Sequence, residues 1–399
     1  MNKLVFLHDS FDYYGGGEQM LVRTAELMRG KAEISLGLLW GTGRAITKEM
    51  ANSFKSIRQF DFPEAVRPNT LPGHRRATRE LSQFILNEAA SGVVSFSLRP
   101  AVRMAGTSAA REIPTAWMCQ QSFPLFEPPL PMIKQTLGIN ALQKSETRIV
   151  CISEEQRRGF IQLGFAPQKL ELIRNGIDVQ RFAGARATLS DKRRHRADAG
   201  FSPGRFTLVC VARLDPIKNH MGLLAGLKHA VRSGLDIELI CVGEEPGEQQ
   251  DYTRHLREQS HQFQLGDRVH WIGARNDIRP FLRMADALVL PSVKEAAPLV
   301  LAEAGAAGLP LIGSNVGGIP EAIRHGANGF LMDPTSPETF TRAVAPLVHD
   351  ERRRENIGRC AHDLVNKEFN MTKQNKKWRA FLESLCQPEN SDLLVAGEA

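Results

Sequence analysis

Cysteine is scarce and scattered. The six residues at 119, 151, 210, 241, 360 and 386 include no C-x-x-C pair, so neither a disulfide framework nor a thiolate metal site is indicated. Cys151, Cys210 and Cys241 fall inside apolar runs, where cysteine serves as a small buried hydrophobe. No apolar run approaches the length of about 18 residues that a bilayer-spanning helix needs. The stretch from Met1 to Asp9 is too short in apolar residues for a signal peptide and meets acid at once, so the expected location is the cytoplasm. Two glycine fingerprints are also missing. Without Gly-Lys-Ser/Thr there is no P-loop, and without G-x-G-x-x-G an NAD-binding oxidoreductase is disfavoured. No basic cluster is interleaved with exposed aromatics, so nucleic acid is not an expected partner.

What is present is ordinary globular chain, 42% apolar and 24% charged, which argues against disorder. At 399 residues two domains are expected, each with its own core. The net charge is +7, and residues 1–182 carry 23 Lys/Arg against 17 Asp/Glu. A basic N-terminal half suits an anionic acceptor or the acidic headgroups of a membrane surface; it is equally a generic solvated surface.

The most informative stretch runs from Pro291 to Pro320. A buried apolar run, Ala287 to Leu290, reads as a parallel strand covered on both faces. After Lys294-Glu295-Ala296-Ala297 comes Pro298, suited to the first turn of a helix that continues through Leu299 to Ala304. A strand-to-helix turn at the carboxyl edge of a parallel sheet is where open α/β folds take ligands. The N–H groups of Ala296, Ala297 and Leu299 sit beside the positive end of a helix dipole. Glu295 in the turn and Glu303 on the helix can accept hydrogen bonds from sugar or ribose hydroxyls. A capped helix with solvated carboxylates is the plain alternative.

A second exit of this kind follows Thr207 to Ala212 and carries Arg213-Leu214-Asp215-Pro216-Ile217-Lys218. Arg213 and Lys218 there make a two-cation clamp for a diphosphate, or else two solvated loop charges. The first strand, Lys3 to His8, opens into a turn with Gly15-Gly16-Gly17-Glu18 before a helix. Three glycines at that position let the backbone approach another group and leave helix N–H groups free.

With Asn175-Gly176-Ile177-Asp178, Val242-Gly243-Glu244 and Gly317-Gly318-Ile319-Pro320-Glu321, the order and spacing resemble glycosyltransferase family 4. The resemblance is close over about 170–335 and looser in the N-terminal half. It implies an α/β chain of GT-B architecture, two Rossmann-like doubly wound domains facing a central cleft. Residues 1–182 would be the acceptor-side domain, with a final helix at about 370–386 packing back on it. Residues 183–204 would hold the linker and a short, solvated surface helix, 205–369 the donor-binding domain and 387–399 a disordered tail.

The resemblance further implies a retaining transfer of sugar from a nucleotide-diphosphate sugar to a hydroxyl of a glycan or glycolipid. The expected process is bacterial surface polysaccharide or lipopolysaccharide biosynthesis, and the expected site of action is the cytoplasm or the inner face of the membrane. Arg213, Lys218 and Glu295 are the expected catalytic residues. Gly16, Gly17, Glu18, Asn175, Gly243, Arg275, Ala296, Ala297, Pro298, Leu299 and Glu303 are expected around the donor. Many family members place a histidine after the strand Thr115 to Cys119; this chain has Gln120 and Gln121, which can hydrogen-bond a hydroxyl but cannot exchange a proton at neutral pH. His8, Gln120 and Gln121 are therefore the acceptor-side candidates, with a structural role the alternative for His8. The absence of any D-x-D fits a metal-independent enzyme without a cofactor. Two other readings remain on the same fold: a non-catalytic partner subunit and a nucleotide-sugar epimerase.

Overall fold

A computed structural model describes residues 1–11, 16–40, 43–63, 71–120, 132–245 and 251–387. Gln121 and all but the first residue of the expected tail 387–399 lie outside the described residues. The chain divides into two compact units, Met1–Arg174 with the segment from Gln374 onward, and Asn175–Lys373. The division falls at 174/175 rather than at 182.

In the first unit the elements are β1 (Asn2–His8), α1 (Gly16–Leu27), β2 (Ala32–Leu38), α2 (Lys48–Ala51), β3 (Ser56–Gln59) and α3 (Leu71–Asn87). They continue with β4 (Gly92–Ser95), α4 (Leu98–Ala105), β5 (Thr115–Cys119), α5 (Met132–Lys144), β6 (Arg148–Cys151), α6 (Glu154–Gln162) and β7 (Leu170–Leu172). Among the described residues the strands form one parallel sheet in the order β3-β2-β1-β4-β5-β6-β7. Residues 43–63 supply the short helix α2 and the edge strand β3.

The second unit holds α7 (Val179–Ala183), α8 (Leu189–Asp198), β8 (Phe206–Val211), α9 (His220–Arg232), β9 (Ile237–Val242), α10 (Asp251–Gln262), β10 (Val269–Gly273) and α11 (Arg279–Met284). After these come β11 (Ala287–Leu290), α12 (Leu299–Ala306), β12 (Leu311–Ser314), α13 (Ile319–Ala322), β13 (Gly329–Met332), α14 (Pro337–His349) and α15 (Glu351–Glu368). Its sheet runs β10-β9-β8-β11-β12-β13, all parallel. This is the doubly wound Rossmann order, in which strand order reverses between β8 and β11. Every residue of β9 and β11 is buried, which is why β11, and β9 apart from Glu238, read as continuous apolar runs rather than as alternation.

The short surface helix expected within 183–204 is α8; the segment itself is part of the second unit rather than a linker between the two. Thr188 closes a capping box with Asp191 at the start of α8, and Arg196 on that helix is buried against the second unit. Its guanidinium donates to Met284 O at 2.7 Å, Arg205 O at 2.9 Å and Asp286 Oδ2 at 2.6 Å. The helix is almost wholly polar, and one arginine does the anchoring.

The last helix, α16 (Met371–Cys386), begins at the end of the second unit and buries its apolar face in the first. Trp378, Phe381, Leu382 and Leu385 are all buried. Arg148 donates to Ser384 Oγ at 2.8 Å, and its guanidinium lies 4.5 Å from the Phe381 ring centre. A side chain on Gly92 of β4 would stand 3.2 Å from Leu385, so strand and helix are in close contact. Trp378→Ala is expected to cost about 3–5 kcal/mol through the cavity it leaves. Urea denaturation monitored on the first unit checks this, since an unchanged midpoint would mean α16 is not part of that core.

Candidate active site

In the second unit the candidates gather at the β8/β11 reversal. After β8, Asp215 caps a short turn, accepting the Lys218 amide at 3.2 Å, and Asn219 follows in the left-handed region with φ 53°. The Asn219 side chain donates to Pro291 O at 3.2 Å and Pro334 O at 2.8 Å while accepting from the Gly222 amide at 3.2 Å. Lys218 is thereby brought to the exit of β11. Its ammonium meets Glu295 Oε1 at 2.5 Å, and the same oxygen accepts from Ser292 Oγ at 2.8 Å. Glu295 is only 9% exposed.

Arg213 does not pair with Lys218 in one clamp. Its guanidinium is largely exposed and bound to Asp215 at 2.9 Å. Each cation of the expected clamp therefore has its own carboxylate, Asp215 or Glu295.

Two glycines set the backbone around this cluster. A Cβ on Gly243 (φ +148°) would fall 1.9 Å from Ala212 O, and one on Gly317 (φ +52°) would fall 1.9 Å from Glu295 O. No side chain fits at either place. Gly243 thus shapes the exit of β8, and the Gly317-Gly318 turn presses on the Glu295 backbone, with the Gly318 amide donating to Glu295 O at 3.3 Å. Ala296, Ala297, Pro298 and Leu299 are half-buried and lead into α12, whose cap residue Pro298 makes no side-chain cap bond. Pro298 is the cap itself rather than the first helical residue.

Glu303 lies on α12. Burial pushes its carboxyl up to about 7, opposed by the charge of Arg181, so near neutral pH it can either donate or accept a hydrogen bond. His220, at the start of α9, is pushed down to about 4 by burial, against the pull of Asp215. It stays uncharged at neutral pH, its Nε2 3.7 Å from the Cys210 thiol. Arg275 is exposed and turned back onto Ala274 O at 2.8 Å. Asn175 is buried at the start of the second unit, beside Ile177, whose amide donates to Phe369 O at 2.8 Å.

The first unit presents its own group at the carboxyl edge of the sheet. His8 Nδ1 lies 2.6 Å from Ser10 O, and His8 Nε2 lies 3.8 Å from Glu18 Oε1, with both side chains buried. A Cβ on Gly17 would stand 4.0 Å from His8 Nε2. Gly16 begins α1, and Gln120 is half-buried after β5. Among the described residues no group of three or more His, Cys, Asp or Glu is arranged to hold a metal ion, and no helix is long and apolar enough to cross a membrane.

Asp215, Ser292 and Asn219 are the residues that motif reading missed. The first two were visible as an Asp-Pro turn and a Pro-Ser turn, but only the fold shows which cations and carboxylates they hold.

Together the fold and the site define an open α/β unit with its charged residues collected at a topological switch point, where such sheets bind ligands. The family model described as glycosyl transferases group 1 matches residues 191–363, which lie within the second unit. An Escherichia coli UDP-Gal:alpha-D-GlcNAc-diphosphoundecaprenol alpha-1,3-galactosyltransferase is 30% identical over 239 residues, 59% of each chain. A D-inositol 3-phosphate glycosyltransferase of Segniliparus rotundus is 27% identical over 57% of this chain and 50% of its own. The chain thus spans between half and three-fifths of the length of these relatives. The crystal structure of Anabaena HepE in complex with UDP superposes with a TM-score of 0.81 at 22% identity, over 96% of this chain and all of that one. At that identity the likeness speaks for the fold, which is GT-B.

Ionisation of Glu303 carries a sign that can be tested. Below the ordinary value of 4.5 the carboxyl is protonated whether the chain is folded or not. Between 4.5 and about 7 the unfolded chain loses this proton first, so stability falls as pH rises through that window. Glu303→Gln is expected to leave stability unchanged at pH 4 and to raise it at pH 8 by up to roughly 3 kcal/mol. Denaturant titrations at the two pH values decide; equal effects at both would mean the carboxyl is ordinary.

Proposed function

We propose that the chain is a glycosyltransferase that moves a sugar from a nucleotide-diphosphate sugar to a hydroxyl of a glycan or glycolipid, with retention at the anomeric carbon. The observation that carries this reading is the Lys218 ammonium, held at the switch point against Glu295, whose same oxygen accepts from Ser292, beside the start of α12. A departing nucleoside diphosphate gains negative charge. Lys218 and the helix N-terminus would stabilise that charge by pre-organised electrostatics, with Arg213 reaching in from its exposed position. Glu295 would orient Lys218 and, with the backbone at 296–299, hold the donor sugar, while Glu303 would hold ribose hydroxyls. Donor binding of this kind needs neither metal nor cofactor.

The acceptor side of the proposal falls to the first unit, through His8, Glu18 and Gln120. The Gln120 amide cannot take up a proton at neutral pH, so the leaving phosphate itself would take the proton of the attacking hydroxyl. The process proposed is surface polysaccharide or lipopolysaccharide assembly at the inner face of the membrane. The E. coli relative, named for a diphosphoundecaprenol acceptor, supports this, as does the basic first half of the chain.

Thermal stabilisation by UDP, GDP, ADP and CMP in EDTA tests the proposal. One nucleoside diphosphate is expected to raise Tm, with affinity at least about tenfold weaker in Lys218→Ala through loss of a charge-assisted hydrogen bond. Full binding by Lys218→Ala would remove the ammonium from the site. No response to any of the nucleotides would favour a non-catalytic partner subunit.

A further inference from the structure

A second charged cavity opens at the other end of the same sheet. It encloses about 360 Å³ and is lined by the α7–α8 loop, the first turn of α8, the turns before β11 and β12, and one side of α15. Its floor is Asp286, the residue before β11, only 2% exposed. Asp286 Oδ2 is fully engaged, by Arg196 at 2.6 Å and the Thr207 amide at 2.9 Å. Oδ1 accepts no hydrogen bond. The nearest charges to it are Lys192 Nζ at 3.7 Å and Arg354 Nε at 3.9 Å, both beyond hydrogen-bond reach.

The charge balance is uneven. Arg196, Lys192 and Arg354 are all largely buried around this single carboxylate, and buried charge without a partner is costly. Burial pushes the Lys192 ammonium below the usual lysine range, with Arg354 and Arg196 adding to the effect against Asp286. The other acids on the wall do not redress this. Asp191 is committed to Thr188 and Arg194, and Glu351 and Glu355 are solvent-exposed. Arg186 and Arg359 add two exposed cations, the former lying over Gly308, where a Cβ would stand 3.1 Å from its Nε.

An occupant that completes this site carries two features at once. It offers anionic oxygens to Lys192, Arg354 and the arginines of the wall, and a hydroxyl that donates to Asp286 Oδ1. We infer that the cavity binds a hydroxyl-bearing phosphate monoester of sugar-phosphate size, at a site separate from the Lys218–Glu295 cluster. A bare anion satisfies the cations and leaves Oδ1 unpaired. A neutral sugar does the reverse.

Calorimetric titration of the full chain with glucose 6-phosphate, inorganic phosphate and glucose tests this. Saturable binding of glucose 6-phosphate is expected, at least tenfold tighter than that of phosphate or glucose. It should survive Lys218→Ala, which separates it from the donor site, and weaken at least about tenfold in Lys192→Met and in Arg359→Ala. Arg359 is exposed, so its variant reports on binding even if Lys192→Met fails to fold. Equal weak binding of phosphate and glucose 6-phosphate, unchanged in Arg359→Ala, would mean an adventitious ion only and would overturn the inference. So would binding lost in Lys218→Ala alone.

Discussion

The second unit depends on one side chain that holds three segments together. Asn219 takes a left-handed backbone conformation that asparagine tolerates better than most residues, and this turns its amide inward at the end of β8. From there it donates to the carbonyls of Pro291, after β11, and Pro334, after β13, and it caps α9 through the Gly222 amide. Loops at a strand exit are usually the loosest parts of a sheet. Here the β8 and β11 exits are tied directly, and the Val293 amide adds a bond to Ile217 O at 2.9 Å. Lys218 and Glu295, 77 residues apart in sequence, meet because the backbone on both sides of them is already fixed.

That fixation explains which features could be read from the chain and which could not. The strands were legible because buried parallel strands are short unbroken apolar runs, as in Ala287 to Leu290. The strand-to-helix exits were legible because proline, glycine and charge cluster there. What each charge touches was not. Arg213 and Lys218 are five residues apart and look like a pair, yet Arg213 closes on Asp215 two residues away while Lys218 crosses to another strand. Local sequence favours short ion pairs and says nothing about a partner on β11. Glu295 and Glu303 were alike in sequence, but one is satisfied by Lys218 and Ser292 and the other is raised by burial to about 7.

In the segment 183–204 the short surface helix was legible, and its anchoring in the second unit was not. Its density of charge and its glycines are the marks of a connection, and most of α8 is indeed solvated. Its place in the fold is set by Arg196, whose three hydrogen bonds end on Met284, Arg205 and Asp286. A buried arginine contributes no apolar periodicity, so no pattern reveals it. α16 shows the reverse case: the family resemblance already implied its return to the first unit, and Trp378, Phe381, Leu382 and Leu385 are the side chains it buries there.

The two charged clusters of the second unit are joined by very little chain. Asp286 pins the amino end of β11, exchanging bonds with Thr207 through its own amide and its carboxylate. Asn219 and Lys218 pin the carboxyl end, at Pro291 and Glu295. Between them β11 has four residues, a span of about 13 Å at strand rise, all buried. Strands packed this tightly do not stretch; they shift as a piece or not at all. Asp286 and the turn that carries Glu295 thus lie at opposite ends of one short, fully buried strand. In this unit the carboxyl edge, where ligands of such sheets bind, and the opposite edge are parts of one rigid element.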